Sequence, residues 1–316
     1  MKKQQTTNLS SLASSLRPYL LSRGKSMTTV GIIERSVYAF SNWCEDERIA
    51  PERASYQEIL AYIKYLQQRG LKQRTVQMLL KHLDHYYEWL VNREIRQDKP
   101  TQGIQVRGVQ RKFLYHIVPM KALEAVYEKI QGNSNFESGT YKLWEKQSHY
   151  SSKQHKVLFG LMIWQGLDSG EITRLRLADV KLREGKIYIS GTRRSNERTL
   201  KLESIQLFDM LDYLQHVRPY YAQTNPNEKE LFFITSMPGA RTDNRMHGLM
   251  KRVSSIDSQL SSPKQIRASV ITHWLKLYNL REVQYMAGHR YVSSTESYLV
   301  NDLEDLQADI DQYHPL

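Results

Sequence analysis

Lys264-Gln265-Ile266-Arg267-Ala268-Ser269-Val270-Ile271-Thr272-His273, followed by Gly288-His289 and then by Ser294-Thr295-Glu296-Ser297-Tyr298, is the stretch around which the rest of the chain can be ordered. Arg267 leads into an apolar helix carrying Val270 and Ile271, His289 follows a glycine that ends another apolar segment, and Tyr298 comes nine residues after His289. A guanidinium and an imidazole are side-chain hydrogen-bond donors, and a phenol oxygen can act as a nucleophile. Each residue also has a plainer use. Tyr298 is one of 20 tyrosines and could pack its ring, with Tyr291 and Tyr313 close by as rival nucleophiles. His289 could cap a helix, and Arg267 could sit in a surface ion pair.

Two segments upstream extend the pattern. Gly166-Leu167-Asp168-Ser169-Gly170-Glu171-Ile172 leads into Leu175-Arg176-Leu177-Ala178-Asp179-Val180. Next, Ile187 and Ile189, and later Leu200 and Leu202, alternate with polar residues on either side of the polar, basic stretch 191–198, which reads as a hairpin with a long tip. These four segments, in this order over roughly the last 160 residues, resemble the catalytic domain of the tyrosine recombinase (phage integrase) family.

The resemblance implies a cofactor-free and metal-free transesterification, in which a tyrosine oxygen attacks a DNA phosphate to leave a 3′-phosphotyrosine and a free 5′-hydroxyl. On it, Tyr298 matches the nucleophile, Arg267 the second catalytic arginine and His289 the later, phosphate-donating histidine. Lys264 stands where histidine is usual, and its ammonium can still donate to a phosphate. Arg193 or Arg194 occupies the hairpin tip, where the family carries a lysine that protonates the leaving hydroxyl. Arginine holds its proton too tightly for that task and would only stabilise charge. The largest departure is Asp168, in the place of the first catalytic arginine, where a carboxylate would repel the phosphate. Either Arg174 or Arg176 supplies the missing cation while Asp168 faces elsewhere, or the protein is a catalytically deficient DNA-binding accessory protein on the same fold.

Ahead of these motifs the chain reads as helical from Leu9 to Ile95. Ile33, Val37, Phe40 and Cys44 form one stripe, Ser55 and Glu58 a capping box before Ile59, Ile63 and Leu66, and Val76, Leu79, Leu80, Leu83, Tyr86, Tyr87 and Leu90 a third. About four helices are expected. Gln97 to Lys112 holds Pro100, Gly103 and Gly108 with basic residues and no sustained stripe, and reads as a linker. The expected organisation is a helical DNA-binding (core-binding) domain over 1–97, a basic linker over 98–112 and a mixed α/β catalytic domain over 113–316. The fold class is mainly α with a small antiparallel β-sheet. After the linker the sequence predicts a helix from about Pro119 to Ile130, a polar stretch from Gln131 to Gln154, a helix from Lys156 to Trp164, and a strand-like Leu231 to Ile234 before a turn at Pro238 and Gly239.

The 316 residues carry a net charge of +12, and the excess is uneven: through Lys112 there are 19 basic and 10 acidic residues, against 26 and 23 in the remainder. A polyanionic partner is therefore expected, most of all for the N-terminal third. Lys72 and Arg74 at a helix start and Arg107, Arg111 and Lys112 in the linker are the candidate phosphate contacts, although charged residues are also the commonest solvated ones. No apolar run is long enough to span a bilayer and no signal-peptide core is evident, so a cytoplasmic protein is expected. A single cysteine, Cys44, excludes an intrachain disulfide and a cysteine-rich zinc site, and the ten histidines show no ligand spacing. The resemblance further implies a C-shaped clamp on duplex DNA bearing a specific recombination site. It implies a multimer, a tetramer of this chain or one that includes other recombinases. Leu299, Leu303, Leu306 and Ile310 would form a C-terminal helix, docked either on the chain's own domain or on a neighbouring protomer.

Overall fold

The computed structural model describes residues 15–108, 115–130, 143–225, 229–234 and 243–299. It divides the chain into two compact units, Met1–Phe113 and Leu114–Leu316, each with its own core. The architecture is mostly helical with one small antiparallel sheet.

In the first unit, helical residues 15–22 (α1) are followed by α2 (Met27–Asp46), α3 (Tyr56–Gln68) and α4 (Gln73–Asn92). The apolar stripes read from the sequence supply the core: Ile33, Phe40 and Cys44 from α2, Ile59 and Leu66 from α3, and Val76, Leu83, Tyr87 and Leu90 from α4 are buried. Tyr62 joins them, its ring edge-on to Phe40 with centroids 4.9 Å apart. The starts of the helices follow their caps. Ser26 accepts from the Thr29 amide ahead of α2, and Ser55 and Glu58 form the reciprocal capping box of α3. The segment read as a linker is tied to this unit over its first half. Thr101 is buried and donates to Asp84 at 2.8 Å, and Ile104 and Val106 pack against the helical core.

The second unit opens with α5 (Met120–Lys129) and α6 (Leu143–Trp164). Residues 143–154, read as part of a polar stretch, are helical. Their helical periodicity is hidden because the inward face of α6 carries polar groups. Ser152, Gln154 and His155 are all buried, and Gln154 Nε2 donates to the Tyr213 hydroxyl and to the Ile234 carbonyl. A short α7 (Ser169–Arg174) then leads into β1 (Val180–Lys181), β2 (Lys186–Ile189) and β3 (Arg198–Lys201), an antiparallel sheet in that order. Ile187 pairs with Leu200 and Ile189 with Arg198, leaving 190–197 as the hairpin tip.

Helix α8 (Ser204–Asp212) runs through a π turn at Tyr213–Val217 into α9 (Arg218–Thr224). The strand expected at Leu231 to Ile234 is a single bridge from Leu231 to Arg176, after which Phe232, Phe233 and Ile234 are core residues. Pro238 and Gly239 lie outside the described residues. Helices α10 (Asp243–Ile256), α11 (Pro263–Leu277), α12 (Leu280–Ala287) and α13 (Val292–Glu296) follow among the described residues. Among the described residues no helix is long and apolar enough to cross a membrane.

Candidate active site

Helix α11 starts sharply because Ser262 accepts from the Gln265 amide and Pro263 takes the first helical position, where its missing N–H costs nothing. Ile266, Val270 and Ile271 are buried, and Arg267 leaves that apolar face half-buried. Its guanidinium gathers three separate segments. Nη1 donates to the Gly166 carbonyl and, at 3.2 Å, to Glu171 Oε2, while Nη2 donates to the Ala287 carbonyl at 2.6 Å.

Glu171 is the hub beneath it. The carboxylate also takes a forked pair from Arg198, Nη1 to Oε1 at 2.6 Å and Nη2 to Oε2 at 3.1 Å, with the two side chains 0% and 1% exposed. Burial pushes the Glu171 carboxyl up. The Arg198 hydrogen bond and the positive charges of Arg198 and Arg267 outweigh burial and hold it below the usual carboxylate range.

Helix α12 ends at Gly288, in the left-handed conformation at φ 66°. A Cβ there would also collide with the Arg198 guanidinium, so two constraints demand glycine. His289 follows. Its ring stacks on that of Tyr298 with centroids 5.8 Å apart and planes 10° from parallel, and its Nδ1 lies 2.9 Å from Thr295 Oγ1. Burial, followed by the charges of Arg267 and Arg198, pushes the imidazole down to about 4, so it is neutral at pH 7. Tyr298 is half-buried. Burial pushes its phenol up, while the charge of Arg267 and a hydrogen bond from it act in the opposite sense. Arg267, His289 and Tyr298 therefore meet in one place, carried there by α11, the end of α12 and the end of α13.

The hairpin tip is held beside them through its backbone. Ser195 bridges to His289, the Asn196 amide donates to the Gly288 carbonyl at 2.9 Å, and Arg290 donates to the Arg193 carbonyl at 2.9 Å. Arg193 and Arg194 are exposed on this tip, and Lys264 is exposed on α11, one turn before Arg267.

Asp168 is the N-cap of α7. Its carboxylate accepts from the Glu171 amide at 2.8 Å, and its own amide donates to Glu171 Oε2 at 3.0 Å. It is exposed and close enough for its charge to push the Tyr298 phenol up. Of the two cations considered as its replacement, Arg174 folds back across Gly170 to the Asp168 end of α7: a Cβ on Gly170 would lie 3.1 Å from Arg174 Nη1 and 3.2 Å from Asp168 Oδ1. Arg176 is exposed, and its backbone pairs with Leu231. Of the candidate DNA contacts in the first unit, Lys72 is the N-cap residue of α4, Arg74 is in its first turn, and both are exposed, as is Arg107. Arg111, Lys112 and the expected C-terminal helix beyond Leu299 lie outside the described residues.

Sequence reasoning missed three residues that hold this site together: Glu171, Arg198 and Thr295. Two left a signal. Asp168 and Glu171 have the three-residue spacing of a capping box, and Arg198 occupies a strand position on the same inward face as Leu200, where a charge needs a buried partner. Thr295 left none.

The family model described as "Phage integrase family" matches residues 141–304, and that described as "Phage integrase, N-terminal SAM-like domain" matches 12–97. "Tyrosine recombinase XerD" of Yersinia pestis is 22% identical over 299 residues, covering 93% of this chain and 94% of that protein. "Tyrosine recombinase XerC" of Neisseria gonorrhoeae (strain ATCC 700825 / FA 1090) is 27% identical over 278 residues, covering 86% and 83%. A solved structure of "XerH site-specific recombinase bound to palindromic difH substrate: post-cleavage complex" superposes with a TM-score of 0.66 at 15% identity, covering 92% of this chain and 81% of that one. At that identity the superposition speaks for the fold alone.

Proposed function

Because the chain belongs to the phage integrase family, we propose that it is a site-specific DNA recombinase that cleaves and rejoins strands through a covalent bond between Tyr298 and a DNA 3′-phosphate. The observation that carries this reading is the meeting of Arg267, His289 and Tyr298 at one position. In the reaction, Tyr298 Oη attacks phosphorus, the bond to the 5′-oxygen breaks, and the 5′-hydroxyl departs. The phosphotyrosine ester keeps the phosphodiester free energy for the reverse attack that rejoins the strands, so no nucleotide or metal is required. Negative charge grows on the phosphoryl oxygens during both steps. Arg267, pre-oriented by Glu171 and two carbonyls, and neutral His289 are the fixed donors for it.

Lys264 supplies a further donor to the phosphate and, on the hairpin tip, Arg193 stabilises the leaving oxygen, with Arg194 beside it. Lys72, Arg74 and Arg107, together with Arg111 and Lys112, contact the duplex backbone. The working form is a multimer on DNA, a tetramer of this chain or an assembly with other recombinases, acting in the cytoplasm.

One observation favours a second reading, a DNA-binding accessory protein deficient in cleavage. Asp168 puts a negative charge near Tyr298, where the family resemblance calls for a positive one. A single experiment separates the two. The protein is incubated with a nicked suicide duplex carrying the sequence it selects from a random pool. A covalent adduct formed by the wild type and absent with Tyr298→Phe supports the recombinase; specific binding without any adduct supports the accessory protein.

A further inference from the structure

Thr295 is fully buried on α13 and touches both of the groups that flank it in the site. Its hydroxyl lies 2.9 Å from His289 Nδ1, and its carbonyl accepts the Tyr298 amide at 3.0 Å. The imidazole is flanked by the Tyr298 ring, nearly parallel to it with centroids 5.8 Å apart, and the His289 backbone carbonyl accepts from the Gln284 side chain at 3.1 Å. A neutral imidazole carries one N–H, and which nitrogen bears it is set by the partner of the other. A threonine hydroxyl can donate or accept, so this hydrogen bond by itself admits both tautomers. The chemistry chooses between them. Phosphate oxygens only accept, so a useful His289 must present Nε2–H, which leaves Nδ1 to accept from Thr295.

We infer that Thr295 is a positioning residue: its hydroxyl donates to Nδ1, fixes His289 as the Nε2–H tautomer, and sets that donor in register with Tyr298 through the same turn of helix. Both halves of this inference rest on the recombinase reading, because the phosphate is what selects the tautomer, but the tautomer itself can be measured whether or not DNA is cleaved. Both are tested with Thr295→Val, which keeps the shape and removes the hydroxyl, and Thr295→Ser, which restores it.

Long-range 1H–15N spectra of the DNA-free full chain, labelled at histidine, should show Nε2 protonated and Nδ1 bare in the wild type and in Thr295→Ser. In Thr295→Val that preference should disappear. A wild type protonated at Nδ1, or ring nitrogens unmoved by Thr295→Val, overturns the assignment, and the wild-type spectrum decides the tautomer even should the valine variant fail to fold. In single-turnover cleavage of a nicked duplex, Thr295→Val should be slower by about 10- to 100-fold, the range seen when the hydrogen-bond partner that orients a metal-ligating histidine is removed, taken here as the measure for an oriented imidazole. Thr295→Ser should recover most of the rate. Equal rates for valine and wild type overturn the functional half. Absence of any adduct from the wild type removes the recombinase reading instead and leaves the spectra to decide Thr295.

Discussion

Replacing Glu171 by alanine should unfold the C-terminal unit far more readily than the removal of a single side chain suggests. Arg198 would remain with its guanidinium buried and without its carboxylate, since the two groups meet at 2.6 Å and 3.1 Å with 0% and 1% exposure. Opposite charges about 4 Å apart attract by roughly 4 kcal/mol at an effective dielectric of 20. Desolvation offsets much of that in the intact pair. In the variant the burial cost of the arginine stays and the attraction goes, so the loss should be about 3–5 kcal/mol. For a unit of this size that corresponds to a fall of roughly 6–20 °C in melting temperature.

Urea titrations followed by tryptophan fluorescence measure the change directly. Glu171→Ala should shift the midpoint of the C-terminal transition, and Glu171→Ala combined with Arg198→Met should recover a large part of it, because an apolar pair in the same space has no stranded charge. A Glu171→Ala midpoint equal to the wild type, or a double variant less stable than the single by the full cost of a second lesion, would show that Arg198 does not depend on this carboxylate. The pair also sets an acid limit. The folded Glu171 carboxyl is held below its ordinary value of 4.5, so its contribution is complete above that value and is lost as pH falls through the lower folded one.

Gly288→Ala should cost more than the roughly 1–2 kcal/mol of a left-handed non-glycine residue, because its Cβ also displaces the Arg198 guanidinium; a melting temperature matching the wild type would contradict this. His155, buried and pushed down to about 4, lies below its unfolded value of 6.5, so the unfolded chain binds the extra proton between those values and stability falls as the solution is acidified through that window. The ceiling is about 3 kcal/mol, and His155→Gln should flatten the pH dependence of the urea midpoint between pH 7 and 4.5. Asp168→Asn keeps the cap of α7 and removes the charge beside Tyr298, so adduct formation should accelerate with stability nearly unchanged, whereas Asp168→Ala should cost about 1 kcal/mol. Neutralising Lys72, Arg74 and Arg107 together should reduce the salt dependence of DNA binding by about 0.9 in log–log slope for each phosphate that the variant leaves unneutralised, and an unchanged slope would remove them from the interface.

Much of the fold could be read from the residues because the helices of the first unit are amphipathic in the simple sense. Ile33, Phe40 and Cys44, or Val76, Leu83 and Leu90, recur at helical spacing and are buried at that spacing. Reading failed where the interior is polar. Gln154 and His155 face inward on α6, and a search for apolar periodicity takes them for solvent-facing residues. The motif residues Arg267, His289 and Tyr298 converge as their order along the chain suggested. Their supports were less visible, because Arg198 is far from Glu171 in sequence and becomes its partner only once the hairpin folds over α7. Asp168 read as a missing cation, although its three-residue spacing from Glu171 is that of a capping box and its carboxylate is engaged in capping α7.

Everything proposed for the chemistry turns on Tyr298 being the nucleophile, and the location of the covalent bond decides it. A trapped adduct is digested with nuclease and protease, and the peptide that retains a nucleotide is identified by mass spectrometry. A 3′-phosphoryl link on Tyr298 is the expected result; a link on Tyr291 or Tyr313, or DNA bound specifically with no link at all, would contradict it.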